Sequence, residues 1–338
     1  MQYWVIMPVM RNLILLGAKS DADIASICRA GKISPQDLDN HEMKVSLETN
    51  IGIMEALLHI TGDKNMGLHL GEQATPPIIG PAGHLQYSAS DVLSAFKKII
   101  QFTRTFTALY DFSFEEDNHE IRLYFEPVQL WDDISPETAR HGVDISFAAA
   151  VNFIKVLSGR SSYPLKVSYK YPAVSDVSEH ERIFRCRPVF NRSRSCIVFD
   201  RASLQLPVLG HNPQLNSAME AMLREKVQES QEGARFSVKV KEVMLNNYES
   251  DFPQLESIAL TLNITTRTLQ RKLQKENTSY RELTDAVKYE VASALLRHGE
   301  LTVSEISYRL GYSDPATFGK AFKQWSGVSP LGFRKACE

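Results

Sequence analysis

The sequence predicts an α+β domain over residues 1–230 followed by an all-α domain over 231–338, the latter built from two helix-turn-helix units joined by a linker helix. Three observations predict this. The hydropathy period of the front half passes from helical to alternating and back, the back half holds no convincing strand, and one helix-turn-helix pattern occurs twice within it.

A chain of 338 residues has the length of two domains, and 43% apolar with 23% charged residues is an ordinary globular composition. Disorder, collagen and a long coiled coil are excluded on those grounds. The net charge of −2 argues, as a sum, against a nucleic-acid partner, but the sum hides two signs. Residues from Arg235 onward carry +3 and the remainder −5. The polar stretch from Glu229 to Arg235 between them suits a hinge. Cys28, Cys186, Cys196 and Cys337 are scattered without a C-x-x-C pair, so a reducing cytoplasm is the expected location. Met1 to Gly17 is apolar yet carries Pro8 and Arg11, lacks a cleavage site and falls short of the roughly 20 residues of a span, which predicts a buried first helix and no membrane partner.

In the front half, residues 43–60 have the apolar density of a buried helix, and 91–109 read as another, opened by Ser90. Phe112–Phe114 and Ile121–Phe125 alternate around Glu116–His119, which predicts a hairpin. A long helix follows over 136–158, with Pro136 in its first turn and Gly159 beyond its end. Leu165–Tyr171 and Ser195–Phe199 are further strands, and 212–229 is a helix. Phe96, Phe102, Phe106, Tyr110, Phe147 and Phe153 sit at core spacing rather than marking a pocket.

The repeat in the back half lies at about 255–276 and 303–326. Each copy has a short amphipathic helix, then a Leu with a residue tolerant of positive φ (Leu262-Asn263, Leu310-Gly311), an apolar plug (Ile264, Tyr312), a hydroxyl N-cap and a second helix. Ile258 and Ile306 face the core, Ala259 and Ser307 allow close helix approach, and Leu269/Leu273 and Phe318/Phe322 form the buried stripes. The exposed residues of the first copy's second helix are Thr266, Arg267, Thr268, Gln270, Arg271, Lys272 and Lys275, with no acid from Ile264 to Lys275. Arg bonds guanine and Gln bonds adenine in bidentate fashion, while threonine and lysine reach phosphate. The second copy offers Pro315, Ala316, Thr317, Gly319, Lys320 and Lys323, poorer in base-reading groups and better suited to apolar and phosphate contact. Residues 280–297 between the copies form a helix of about 27 Å, near the 34 Å between successive major-groove faces once the helix ends are included.

These residues resemble the tandem helix-turn-helix domain of AraC/XylS-type bacterial transcription regulators. The likeness rests on Arg267–Leu273, Ile306, Gly311–Ser313, Phe318, Ala321–Lys323, Gly327–Pro330 and Phe333-Arg334. It implies DNA contacts from Thr266, Arg267, Gln270 and Arg271, and from Pro315, Ala316, Thr317 and Lys320. It also implies that Gly327 to Arg334 pack the C-terminal end. Lys320 stands where arginine is frequent, which disfavours a bidentate base contact there. The front half is similar to the N-terminal domain of one branch of that family, named for arabinose binding, through Ile60–Asp63, Met66–Gly71, Gly80–Leu85 and Phe184–Phe190.

No P-loop, G-x-G-x-x-G, H-E-x-x-H, nucleophile elbow or C-x-x-C motif occurs. His59 with His69, and His180 with Cys186 and Cys196, lack metal-ligand spacing, so neither a metal nor a cofactor is expected. The resulting expectation is a cytoplasmic, non-enzymatic regulator that binds double-stranded promoter DNA, senses a small-molecule effector through its front half and pairs as a homodimer. The resemblance adds activation and RNA polymerase as a partner. Two alternatives stand beside it: a front half that only dimerises or docks a partner, and an enzyme fused to a DNA-binding tail.

Overall fold

The computed structural model describes residues 3–232, 235–246, 252–298 and 301–337. Two compact units emerge, Met1–Val128 with Ser135–Glu229, and Gln129–Ile134 with Ser230–Glu338.

The first unit opens on β1 (Trp4–Ile6), which turns directly into α1 (Met7–Gly17) and is followed by α2 (Asp21–Ala30) and β2 (Lys44–Ser46). β1 and β2 pair antiparallel, Trp4 opposite Ser46. Neither strand is anticipated by the sequence reading, because three residues are too few for alternation to show. Pro8 sits in the first turn of α1, where its missing N–H leaves no bond unmade, so it starts this helix rather than breaking it. The helix expected over 43–60 is therefore β2 followed by α3 (Leu47–Thr61), capped by Ser46.

After α4 (Met66–Gln73) and α5 (Pro81–Tyr87), α6 (Val92–Gln101) departs from expectation at both ends. Asp91 is its N-cap, accepting from the Ser94 N–H at 2.7 Å, while the Ser90 hydroxyl donates to Asp91. The helix stops at Gln101 and a 3-10 turn over Thr103–Thr105 replaces its expected continuation to 109.

The hairpin is present as β3 (Tyr110–Glu116) and β4 (Glu120–Pro127). In its turn, Asp117 accepts the His119 and Glu120 N–H groups, which lowers its pKa to about 2. α7 (Gln129–Ile134) belongs to the second unit, and α8 (Pro136–Ser158) ends at Gly159 in the left-handed region, as read. β5 (Lys166–Ser168), α9 (Ser178–Phe184), β6 (Cys196–Asp200), α10 (Arg201–Leu204) and α11 (Pro213–Glu232) complete the unit. The sheet is antiparallel in the order β3-β4-β6-β5. β5 is shorter than expected because the Tyr169 N–H bonds Val189 rather than extending the ladder to β6. α4 lies directly on α8. A Cβ on Gly67 would stand 2.5 Å from the His141 carbonyl oxygen, and one on Gly71 2.4 Å from that of Ile145. Phe96, Phe102, Phe106, Phe147 and Phe153 are buried and Tyr110 half-buried, as plain core.

The second unit is helical throughout its described residues: α12 (Phe236–Asn246), α13 (Leu255–Thr261), α14 (Thr266–Lys275), α15 (Tyr280–His298), α16 (Val303–Arg309), α17 (Pro315–Ser326) and α18 (Pro330–Cys337). α7 contributes buried Leu130, Trp131 and Ile134 to it, and Asp133 of α7 pairs with Arg309 of α16. The polar stretch expected as a hinge begins inside α11, and residues 233–234 of it lie outside the described residues.

Candidate nucleic-acid interface

The two helix-turn-helix copies agree bond for bond. In the first turn Leu262 N–H donates to Ile258, Asn263 N–H to Leu260 and Ile264 N–H to Ala259; in the second, Leu310 donates to Ile306, Gly311 to Tyr308 and Tyr312 to Ser307. Asn263 at φ 52° and Gly311 at φ 74° take the left-handed step that reverses the chain. Ile258, Ala259, Leu269 and Leu273, with Ile306, Ser307, Phe318 and Phe322, are all buried. This fixes which faces of α14 and α17 point outward.

On α14, Arg267, Gln270, Arg271, Lys272 and Lys275 are exposed, whereas Thr266 and Thr268 are half-buried. Arg267 and Arg271, four apart, occupy the side opposite Leu269 and Leu273. Neither is engaged in an ion pair among the described residues. The N-cap is Thr265, whose oxygen accepts the Thr268 N–H while its hydroxyl donates to Thr268 Oγ1 at 2.9 Å. Lys272 departs from the basic face: its ammonium sits 4.9 Å from the centre of the Phe236 ring.

On α17, Ala316, Lys320 and Lys323 share the outward face and are exposed; Thr317 is exposed on its flank and Pro315 is half-buried. The expected hydroxyl cap is instead the carboxylate of Asp314, which accepts the Thr317 N–H at 2.8 Å and the Thr317 hydroxyl at 2.7 Å. These bonds lower the Asp314 pKa. Thr317 has thereby committed its hydroxyl hydrogen and keeps only acceptor capacity. A Cβ on Gly319 would meet nothing within 4 Å, so this face is open. Gly327 at φ 81° ends α17, and Arg334 of α18 donates to Leu296 and Leu301 carbonyls, closing the C-terminal end as the resemblance implied.

The first unit holds one cluster of ionisable groups inside. Asp144 of α8 and His180 of α9 are each 1% exposed, with His180 Nε2 3.5 Å from Asp144 Oδ1. Arg140 donates to Asp144 Oδ2 at 2.9 Å and its other terminal nitrogen lies 2.9 Å from His141 Nε2. His141 Nδ1 faces the Gly67 N–H at 3.3 Å. Burial first, and Arg140 second, lower the His141 pKa to about 4. Burial raises that of Tyr169 well above its ordinary value. Asp144 Oδ1, Tyr169 Oη and both His180 nitrogens are buried without a hydrogen-bond partner among the described residues. Tyr169 stacks on Phe190 at 5.2 Å and Phe147 lies 5.3 Å away, so aromatic rings wall this nest. Outside it, His69 of α4 bridges Asp63 and Glu179 at 2.6 and 2.8 Å; burial opposes its charge, but these two bonds raise its pKa. Sequence reasoning missed the nest, since Asp144, Tyr169 and His180 share no periodicity. No group of His, Cys, Asp and Glu among the described residues has metal-binding geometry, and His180, Cys186 and Cys196 form no such cluster. No described helix is long and apolar enough to cross a membrane.

Two family models match separate parts of the chain. The arabinose-binding N-terminal domain of AraC transcription regulators matches residues 22–208, and a helix-turn-helix domain matches 258–336. The ornithine utilization regulator of Pseudomonas aeruginosa is 23% identical over 91% of this chain and 89% of its own. The transcriptional regulator VqsM of the same species is 37% identical over 95 residues, 28% of this chain and 29% of its own. The crystal structure of the regulator CdpR from Pseudomonas aeruginosa is 21% identical, with a TM-score of 0.44 over 94% of this chain and 99% of that one. With the arabinose-binding-type domain spanning more than half its length and a helix-turn-helix domain following, the chain belongs to the AraC family of DNA-binding transcription regulators.

Proposed function

We propose that this regulator reads promoter DNA with α14 and α17 and adjusts that binding to a small-molecule effector held by its first unit. Arg267, Gln270 and Arg271 read base edges, with Thr266 and Thr268 at the backbone; Ala316 and Pro315 make apolar contact, Lys320 and Lys323 meet phosphate, and Thr317 offers an acceptor to a base amino group. The observation that carries this is the pair of exposed arginines on the outward face of α14, which no acid among the described residues pairs. A carboxylate partner would have cancelled such a face.

The effector reading draws support from the matched domain's name and from the nest in unit one, where Asp144, Tyr169 and His180 keep hydrogen-bonding capacity unused inside an aromatic wall. Action as a homodimeric activator that contacts RNA polymerase follows from the family resemblance. The test is a mobility-shift titration on duplexes selected from a random pool by the native chain. Arg267→Ala with Arg271→Ala is expected to abolish preference for the selected sequence, and retained preference would overturn the assignment of α14 as reader.

A further inference from the structure

α14 ends in an acid that none of these contacts uses. Glu276, its C-cap residue, points back along the helix to α12: its two carboxylate oxygens accept the Phe236 N–H at 2.5 Å and the Ser237 N–H at 2.9 Å. These are the first two residues of α12, so the carboxylate caps the positive end of a helix other than its own. One turn earlier on the same flank, the Lys272 ammonium covers the Phe236 ring. Partial burial opposes the Glu276 charge, yet the bonds from Ser237 and Phe236 lower its pKa. Residues 272 and 276 therefore grip α12 along one edge, while 267 and 271 project from the far side of α14.

We infer that Glu276 is a positioning residue for base readout, locking the axis of the reading helix to α12. The inference rests on α14 being the base-reading helix. Leu269 and Leu273 hold α14 down, but two leucines on one stripe leave it free to roll, and a roll displaces the long Arg267 and Arg271 side chains from a base edge. Glu276, seven residues on from Leu269, continues that stripe to the helix end, and its clasp of two directional hydrogen bonds, with the Lys272 contact on the flank, fixes the roll. α12 is also the first helix described after residues 233–234, so a displacement of α12 is passed to the reading helix through this clasp.

The sign of the effect separates this role from that of an ordinary surface acid. Removing a negative charge near DNA strengthens binding to any duplex. A positioning role demands the reverse for the selected sequence. The full chain and its Glu276→Gln and Glu276→Ala variants are titrated with the selected duplex and with a random one across a salt series. Expected is an about tenfold fall in the selected-to-random ratio for Glu276→Ala, comparable to losing hydrogen bonds to a charged group, with a partial rescue in Glu276→Gln and an unchanged salt slope. Ser237→Pro attacks the clasp from its other side, deleting one donor at a first-turn position that accepts proline and leaving the charge intact. It is expected to lower the ratio as well. An unchanged or raised ratio in both Glu276→Ala and Ser237→Pro overturns the proposal. If Arg267→Ala with Arg271→Ala also leaves the ratio unchanged, the failure belongs to the reading of α14 itself.

Discussion

One charged cluster of each unit is placed oppositely to the other's. In the first, Asp144, His141 and His180 are drawn into the interior, with Arg140 donating to Asp144. In the second, Arg267, Arg271, Lys320 and Lys323 are exposed, with no acid among the described residues paired to them. Charge that is buried governs whether a unit folds, because a missing partner leaves an ion in a low-dielectric interior. Charge that is exposed and unpaired governs what the unit binds, because nothing in the fold depends on it. The near-neutral total averages these two designs away.

The largest expected effect falls on DNA. Arg267→Ala with Arg271→Ala is expected to cost about 2–6 kcal/mol of binding to the selected duplex and under about 0.5 kcal/mol of stability, read by titration and by denaturant unfolding. Asp144→Ala is the converse. It strands Arg140 and is expected to destabilise the first unit by about 3–5 kcal/mol, measured by hydrogen exchange of the α8 amides, with the α14 amides unaffected. A variant in which both units lose protection equally would dissolve the comparison.

Acid sharpens it. His141 is neutral when folded, its pKa lowered to about 4, so its contribution is present above the ordinary value near 6.5 and is lost as pH falls from there toward 4. Over that window the first unit is expected to lose about 3 kcal/mol, a loss that His141→Gln reduces. Lys320→Ala or Lys323→Ala is expected to weaken selected and random duplexes alike and to reduce the salt slope by about 1 each. The smallest effect is that of His69. Its folded pKa is raised, so its bridge to Asp63 and Glu179 stabilises below the ordinary histidine value and fades as pH rises through the raised one. His69→Gln is expected to flatten that slope, seen as pH-independent protection factors of the α4 amides once the intrinsic exchange rate is divided out.

The second unit was legible because its signals are local and repeated. Ile258 and Ile306, Leu269 and Phe318, Asn263 and Gly311 each fall within one helical turn of the residue that explains them, and each pattern occurs twice. What escaped was either too short or too distant. β1 and β2 are three residues each, and Asp314 took the cap expected of a hydroxyl because a carboxylate reaches the Thr317 N–H equally well. The membership of Gln129–Ile134 in the second unit leaves no mark on the sequence. The nest joins Asp144 to His180 across an intervening strand, and only packing brings them together. Gly67 and Gly71 were visible as part of a motif, yet their purpose, letting α4 rest on the backbone of α8, needed the neighbour.

On the proposed reading, α14 and α17 enter successive grooves with unequal roles. A hydroxyl-radical footprint of the native chain on its selected duplex tests it most directly, compared with the Arg267→Ala, Arg271→Ala variant at protein concentrations that saturate both. The account predicts two protected patches on one face of the DNA, about 10 base pairs apart, of which the variant loses one and keeps the other. A single patch, or two that the variant leaves intact, would contradict it.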